Sequence, residues 1–110
     1  MAEISYSDAA VSDLKQIGDY IAEQLQSPQA ALNTVNKIQD RIDTLADFPL
    51  IGALLSSICD ITTDYRFLVC GNYLAFYRPQ DDVVLIDRIL YGRQDYLAIL
   101  FGNLSQDETK

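Results

Sequence analysis

Histidine is absent from the 110-residue chain, which removes the default proton shuttle near neutral pH and every ordinary Ser-His or Cys-His nucleophile system. The same gap takes away a usual zinc ligand. Two cysteines are present, Cys59 and Cys70, and they form no C-x-x-C, so no metal site is expected. Cys70 lies in an apolar run, which suits buried, reduced thiols better than a disulfide. Neither a P-loop nor a G-x-G-x-x-G occurs, and no cofactor or small-molecule ligand is expected. No run approaches the ~20 apolar residues needed to cross a bilayer. Residues 1–6 carry neither a basic n-region nor a long apolar stretch, so no signal peptide is read and the expected location is the cytoplasm, away from membranes. Internal repeats and low-complexity tracts are also missing. Positive charge is scarce: 8 Lys and Arg stand against 16 Asp and Glu, a net charge of −8. Phosphate affinity comes from clustered Lys and Arg, so this balance argues against a general nucleic-acid binder.

The chain does have a globular composition, 49% apolar and 22% charged, on a length that suits one core rather than two. A single domain over 1–103 is expected, followed by a polar tail at 104–110. Residues 1–65 hold three basic and ten acidic residues, whereas 66–101 hold four arginines and four aspartates. The acid therefore sits with the predicted helices, and four of the five arginines sit with the predicted strands.

Residues 3–6 alternate as a short strand. Ser7 is placed to cap a helix, and Asp8 in its first turn suits the helix dipole. Ala10, Leu14, Ile17, Ile21 and Leu25 share one apolar stripe. Gly18 falls within it; a mid-helix glycine costs about 1 kcal/mol relative to alanine, which predicts close contact with a neighbouring element. Ser27-Pro28 stops this helix and starts another, with Ser27 as cap and Pro28 at the first helical position. Ala31, Val35, Ile38, Ile42 and Leu45 form the second stripe. So short a link predicts an antiparallel hairpin of helices, and both stripes require a sheet to cover.

Pro49 and Gly52 mark a loop running to about Asp60, with Leu54, Leu55 and Ile58 expected to fasten it to the core. Strands are predicted at 65–70, 73–78 and 83–90, with Gly71-Asn72 as a two-residue hairpin turn. That turn pairs Cys70 with Tyr73, Leu68 with Ala75 and Arg66 with Tyr77. The apolar set Phe67, Val69, Leu74 and Phe76 is expected to meet the helices, leaving Arg66 and Tyr77 together on an open face. A turn at 79–82 leaves the faces of the last strand unassigned, and with them the placement of Arg88. A brief apolar helix follows at 96–101. The fold class is α+β: an N-terminal strand, an antiparallel helix hairpin on one face of a small, mainly antiparallel sheet, and a short C-terminal helix.

Arginine and tyrosine concentrate on the strands: Arg66, Arg78, Arg88 and Arg93, with Tyr65, Tyr73, Tyr77, Tyr91 and Tyr96. Arginine holds phosphate by a planar fork, and tyrosine can stack on a base or donate a proton. The same residues also suit a half-exposed sheet, some paired to Asp82, Asp87 or Asp95. Asp81-Asp82 reads as turn chemistry.

Three stretches taken together resemble the RelE/ParE family of bacterial toxins. They are 13–21 with the second helix, Pro49 and Gly52; then Tyr65-Arg66, Gly71-Asn72-Tyr73 and Phe76-Tyr77-Arg78; then 86–95, from Ile86-Asp87-Arg88 to Arg93-Gln94-Asp95. The resemblance implies the toxic half of a toxin–antitoxin pair, neutralised by a cognate antitoxin protein that wraps the fold. Its RelE-like members cut messenger RNA on the ribosome without a metal; its ParE-like members poison DNA gyrase and are not nucleases. For RelE-like cleavage, the ribose 2′-hydroxyl attacks the adjacent phosphate, which requires a base, charge-stabilising donors and an acid. By the resemblance Arg66 would hold the scissile phosphate, Arg93 would stabilise the leaving group, and Tyr96 would stand for the C-terminal catalytic tyrosine. Tyr91 occupies the place where many relatives carry histidine. RelE-like ribonucleases usually carry lysines before the central strand, whereas 46–64 here holds no basic residue. An inactive toxin, or a binding module that keeps the fold, is the alternative.

Overall fold

Two serine caps set the helical half. Ser7 Oγ accepts the Ala10 N–H at 3.0 Å and opens α1 (Asp8–Leu25); Ser27 Oγ accepts the Ala30 N–H at 3.1 Å and opens α2 (Pro28–Asp43). Gln26, at a left-handed φ of 48°, reverses the chain in the two-residue link and folds α2 back along α1. At Gly18 a Cβ would lie 3.4 Å from Val35 Cγ2, so the helices touch where the glycine predicted contact. The computed structural model describes residues 2–60 and 62–101; the tail expected at 104–110 lies outside the described residues.

The sheet has five strands: β1 (Glu3–Tyr6), β2 (Ala53–Leu54), β3 (Arg66–Cys70), β4 (Tyr73–Gln80) and β5 (Val83–Tyr91), in the spatial order β1-β5-β4-β3-β2. β1 runs parallel to β5, and the other pairs are antiparallel. The β3–β4 register pairs Cys70 with Tyr73, Leu68 with Ala75 and Arg66 with Tyr77, as the Gly71-Asn72 turn requires. Gly71 takes φ 63°, the positive angle that a type II′ turn needs at its first position. The next turn is tighter than expected, since Gln80 already faces Val83 across Asp81-Asp82. β4 therefore runs on past β3, and Pro79 stands where the strand has one neighbour rather than two. The last element, α3 (Tyr96–Phe101), is the predicted brief helix.

The face assignment from the sequence is inverted. Leu68, Cys70, Ala75 and Tyr77, with Val84, Ile86 and Ile89, pack against Ala10, Leu14, Ile38, Ile42 and Leu45 of the helical layer. Phe67, Leu74, Phe76 and Leu90 turn the other way, against Leu55 and α3. Both faces are thus covered, and alternation along a strand shows which residues share a face but not which cover lies over it. Val69, expected in the core, is 53% exposed. The α1 stripe reaches the core as far as Ile17, while Leu25 is exposed. Of the three side chains expected to fasten the loop, Leu55 is buried, while Leu54 and Ile58 face solvent. Cys70 is buried and Cys59 half-buried, both as free thiols. Among the described residues, no helix is long and apolar enough to cross a membrane.

Candidate functional site

Arg66 opens β3 on the helical face, where the loop at 49–52 descends. Its Nη1 donates to Gly52 O at 2.7 Å and to Leu50 O at 3.3 Å. Tyr77, fully buried across from it, donates to Pro49 O and accepts the Gly52 N–H, both at 2.9 Å. Burial pushes the Tyr77 hydroxyl above its ordinary pKa. Arg66 and Tyr77 do lie together, but they bind this loop rather than lining an open face.

A second cluster surrounds a β-bulge. Phe76 faces Arg88 and Tyr77 faces Ile86, so Asp87 is the extra residue. Its carbonyl accepts the Ser7 hydroxyl at 2.6 Å, and its carboxylate accepts the Tyr65 hydroxyl. The Tyr65 hydroxyl is pushed up to about 12 by burial, then by that hydrogen bond and the Asp87 charge. Arg78 stacks over the Tyr65 ring, its Cζ 5.0 Å from the centroid, with its Nε buried and without a hydrogen-bond partner among the described residues. β1 pairs with β5 only as far as Ile86, so beyond the bulge β5 is an edge strand. Arg88 reaches across to α1, where Nε and Nη2 meet the two Asp13 oxygens at 2.8 Å each. Asp13 also accepts the Ile89 N–H at 2.9 Å.

Tyr91 and Arg93 stand at the far end of the sheet. Tyr91 faces Tyr73 edge-on, with centroids 5.8 Å apart. Arg93 is exposed in the turn that follows and makes no ion pair or side-chain hydrogen bond among the described residues. Tyr96 packs its ring on Phe76 at 5.2 Å, on the α3 face.

Of the four residues singled out by sequence, the structure brings together only Tyr91 and Arg93. Arg66 lies opposite Tyr77 and Tyr91 opposite Tyr73; four residues of strand separate the two positions, roughly 13 Å at ~3.3 Å per residue. Tyr96 is on the opposite face from Arg66. Tyr6, Tyr65, Tyr73 and Tyr77 all have hydroxyls moved upward, chiefly by burial, the reverse of what a general base requires. The sequence reading missed Asp13 and the bulge at Asp87. Asp13 looked like one more helical acid, and only its position three residues after Ala10, on the apolar side of α1, hinted otherwise.

Two apolar surfaces remain open. A groove of about 570 Å³ runs between α1 and α2, lined by Val11, Leu14, Ala22, Ala31, Leu32 and Val35. Phe48, Leu50, Ile51, Leu54 and Ile58 form an exposed run beside the β2 edge. Monomeric surfaces seldom expose such contiguous patches, which mark sites of protein association.

A sheet capped on both faces, an N-terminal strand joined parallel to its last strand, and a helix hairpin over the core define the RelE/ParE-like toxin fold. Among solved structures, the chain is similar to the chromosomal ParDE toxin–antitoxin system from P. aeruginosa at a TM-score of 0.70 and 25% identity, covering 83% of this chain and 96% of that one. It is similar to the isolated E. coli RelE toxin at a TM-score of 0.55 and 12% identity, over 100% of both chains, a likeness of fold alone. The E. coli DinJ–YafQ complex gives a TM-score of 0.53 at 20% identity, over 93% of this chain and 100% of that one, again in fold alone. No curated protein sequence matches the chain. The sequence model of the ParE toxin family of type II toxin–antitoxin systems, parDE, matches residues 4–96. The chain belongs to that family, and is a toxin of a type II toxin–antitoxin module.

Proposed function

We propose that this toxin arrests growth by engaging DNA gyrase rather than by cutting RNA, and that a cognate antitoxin neutralises it in the cytoplasm by covering its exposed apolar surfaces. The observation that carries this reading is the separation of Arg66 and Tyr96 from each other and of Arg66 from Tyr91 and Arg93: phosphoryl transfer needs base, acid and charge-stabilising donors around one reacting atom. Arg66 is engaged by two backbone carbonyls, and Tyr96 lies on the other face. The family match and the ParDE likeness support the same branch, as does the absence of basic residues at 46–64.

Pulse-labelling of DNA and protein synthesis just after induction of the chain alone tests it. Thymidine incorporation is expected to fall before methionine incorporation, and Arg93→Ala is expected to remain toxic. Arg93 is the cleaner probe, because it is exposed and makes no ion pair among the described residues, whereas Arg66→Ala also unfastens a loop. Methionine incorporation falling first, with toxicity lost in a folded Arg93→Ala variant, would overturn the gyrase reading in favour of ribosome-dependent cleavage.

A further inference from the structure

Beyond the toxin reading, and independent of it, we propose that the cleft between α2 and the β3–β4 turn is a phosphate site, taking inorganic phosphate or the phosphate end of a small nucleotide. The cleft encloses about 410 Å³ and is lined by Thr34, Lys37, Arg41, Gly71, Asn72 and Tyr73, among others. Lys37 and Arg41 are one helical turn apart, so both cations project from the same side of α2. Arg41 Nε donates to Val69 O at 3.2 Å, which holds the guanidinium at the rim; among the described residues its terminal nitrogens have no hydrogen-bond partner. Among the described residues no acidic side chain lines the cleft, on a chain with twice as many acids as bases. Among the described residues the ion pairs are Lys15–Asp19 and Arg88–Asp13, so neither cation of the cleft is neutralised.

Two like charges at this helical spacing repel, and a bound dianion would relieve that repulsion while accepting from both. The turn adds the Asn72 amide and main-chain N–H groups, and Tyr73 adds a hydroxyl and a ring. A third cation stands nearby: the Gly92 N–H donates to Asn72 O at 2.9 Å, which brings Arg93, the next residue, to the same end of the sheet. The net charge of −8 selects for ligand size. A long polyanion would meet the acidic remainder of the surface, whereas one phosphate group meets only the cleft.

The test is a titration of the full chain with sodium phosphate, and separately with AMP, followed in amide spectra at constant ionic strength. Saturable shifts are expected at Gly71, Asn72 and Tyr73. Lys37→Gln and Arg41→Gln should each weaken binding about tenfold, the loss of one charge-assisted hydrogen bond, while Lys15→Gln leaves it unchanged. AMP binding more tightly than phosphate would show that the base adds contacts beside Tyr73; equal affinities would show that phosphate alone is recognised. Linear shifts without saturation, or saturation indifferent to Lys37→Gln, would overturn the proposal. Lys37→Gln is the deciding variant because its side chain is exposed and makes no hydrogen bond or ion pair among the described residues, whereas Arg41→Gln also gives up the bond to Val69.

Discussion

Removing the Asp13 carboxylate tests whether α1 is clamped to the sheet by charge or merely laid on it by apolar contact. Asp13 is 7% exposed and accepts from Arg88 Nε, Arg88 Nη2 and the Ile89 N–H at 2.8, 2.8 and 2.9 Å. Asp13→Ala deletes all of these. The Ile89 N–H, on a strand edge that β1 no longer covers, is left without a partner at a cost of about 1–3 kcal/mol. Arg88 is orphaned too, but its side chain is 29% exposed and its head can turn to water. The ~3–5 kcal/mol of a fully buried unpaired charge is therefore not reached, and about 1 kcal/mol is the share expected from Arg88. Together the loss is about 3 kcal/mol, which at this chain length lowers Tm by roughly 10–20 °C. Denaturant unfolding of Asp13→Ala, Arg88→Ala and the double variant closes a cycle in which a coupling of about 1–2 kcal/mol is expected. Asp13→Asn should fall between wild type and Asp13→Ala, because its amide oxygen can keep the Ile89 bond while its NH₂ opposes Arg88. A loss below about 1 kcal/mol for Asp13→Ala, or a cycle additive within about 0.3 kcal/mol, would refute the clamp.

Tyr77→Phe removes the hydroxyl that bonds both Pro49 and Gly52; about 2 kcal/mol of stability should go with it. Amide exchange at Gly52 should accelerate, and unchanged protection there would contradict the anchoring role. Gly18→Ala should move stability the other way, by about 0.5–1 kcal/mol, since the new methyl would meet Val35 Cγ2 at an ordinary 3.4 Å; a lower denaturation midpoint would show that the helices cannot accept it. Stability should also fall at alkaline pH. The hydroxyls of Tyr65 and Tyr6 are pushed up to about 12, each chiefly by burial, and burial lifts the Cys70 thiol to about 11. The unfolded chain releases these protons first, the thiol near ~8.5 and the phenols near ~10, so folding loses support as pH climbs through that window toward the folded values. Urea midpoints at pH 9 and 11 should fall in that order, less steeply in Tyr65→Phe, and a midpoint that rises would contradict the burial argument.

What the sequence made legible was local. Ser7 and Ser27 cap because a side-chain oxygen three residues before an unpaired N–H needs no distant partner. The Gly71-Asn72 turn determined the β3–β4 register because a two-residue hairpin admits only one pairing. What escaped was set by distant partners. Tyr77 reads as a polar residue for an open face, yet it is fully buried because Pro49 and Gly52 satisfy its hydroxyl from 28 and 25 residues away. The bulge at Asp87 rests on Ser7 and Tyr65, from 80 and 22 residues away. No window of sequence around residue 87 contains the reason for it.

The same distinction bears on the arginines that made the strands look catalytic. Arg66 is engaged with loop carbonyls, Arg88 with Asp13, and Arg78 with the face of Tyr65. Arg93 is the one of these four without such a contact among the described residues. The Tyr65-Arg66 and Asp87-Arg88 pairs that carried the family resemblance therefore fasten the sheet to α1 and to the loop at 49–52. Residues with that work to do identify a fold well and a target poorly, because they would be needed whatever the toxin strikes. On the proposed reading, target choice falls instead to exposed apolar side chains: Val11 and Leu32 over the helix groove, and Phe48, Leu50, Ile51, Leu54 and Ile58 beside β2. Their mark in the sequence is faint, an apolar residue off the buried stripe or an apolar stretch in a loop. Substituting those positions with polar residues should therefore change toxicity and antitoxin capture while leaving the unfolding midpoint in place, whereas changes at Arg66 or Arg88 should move the midpoint first.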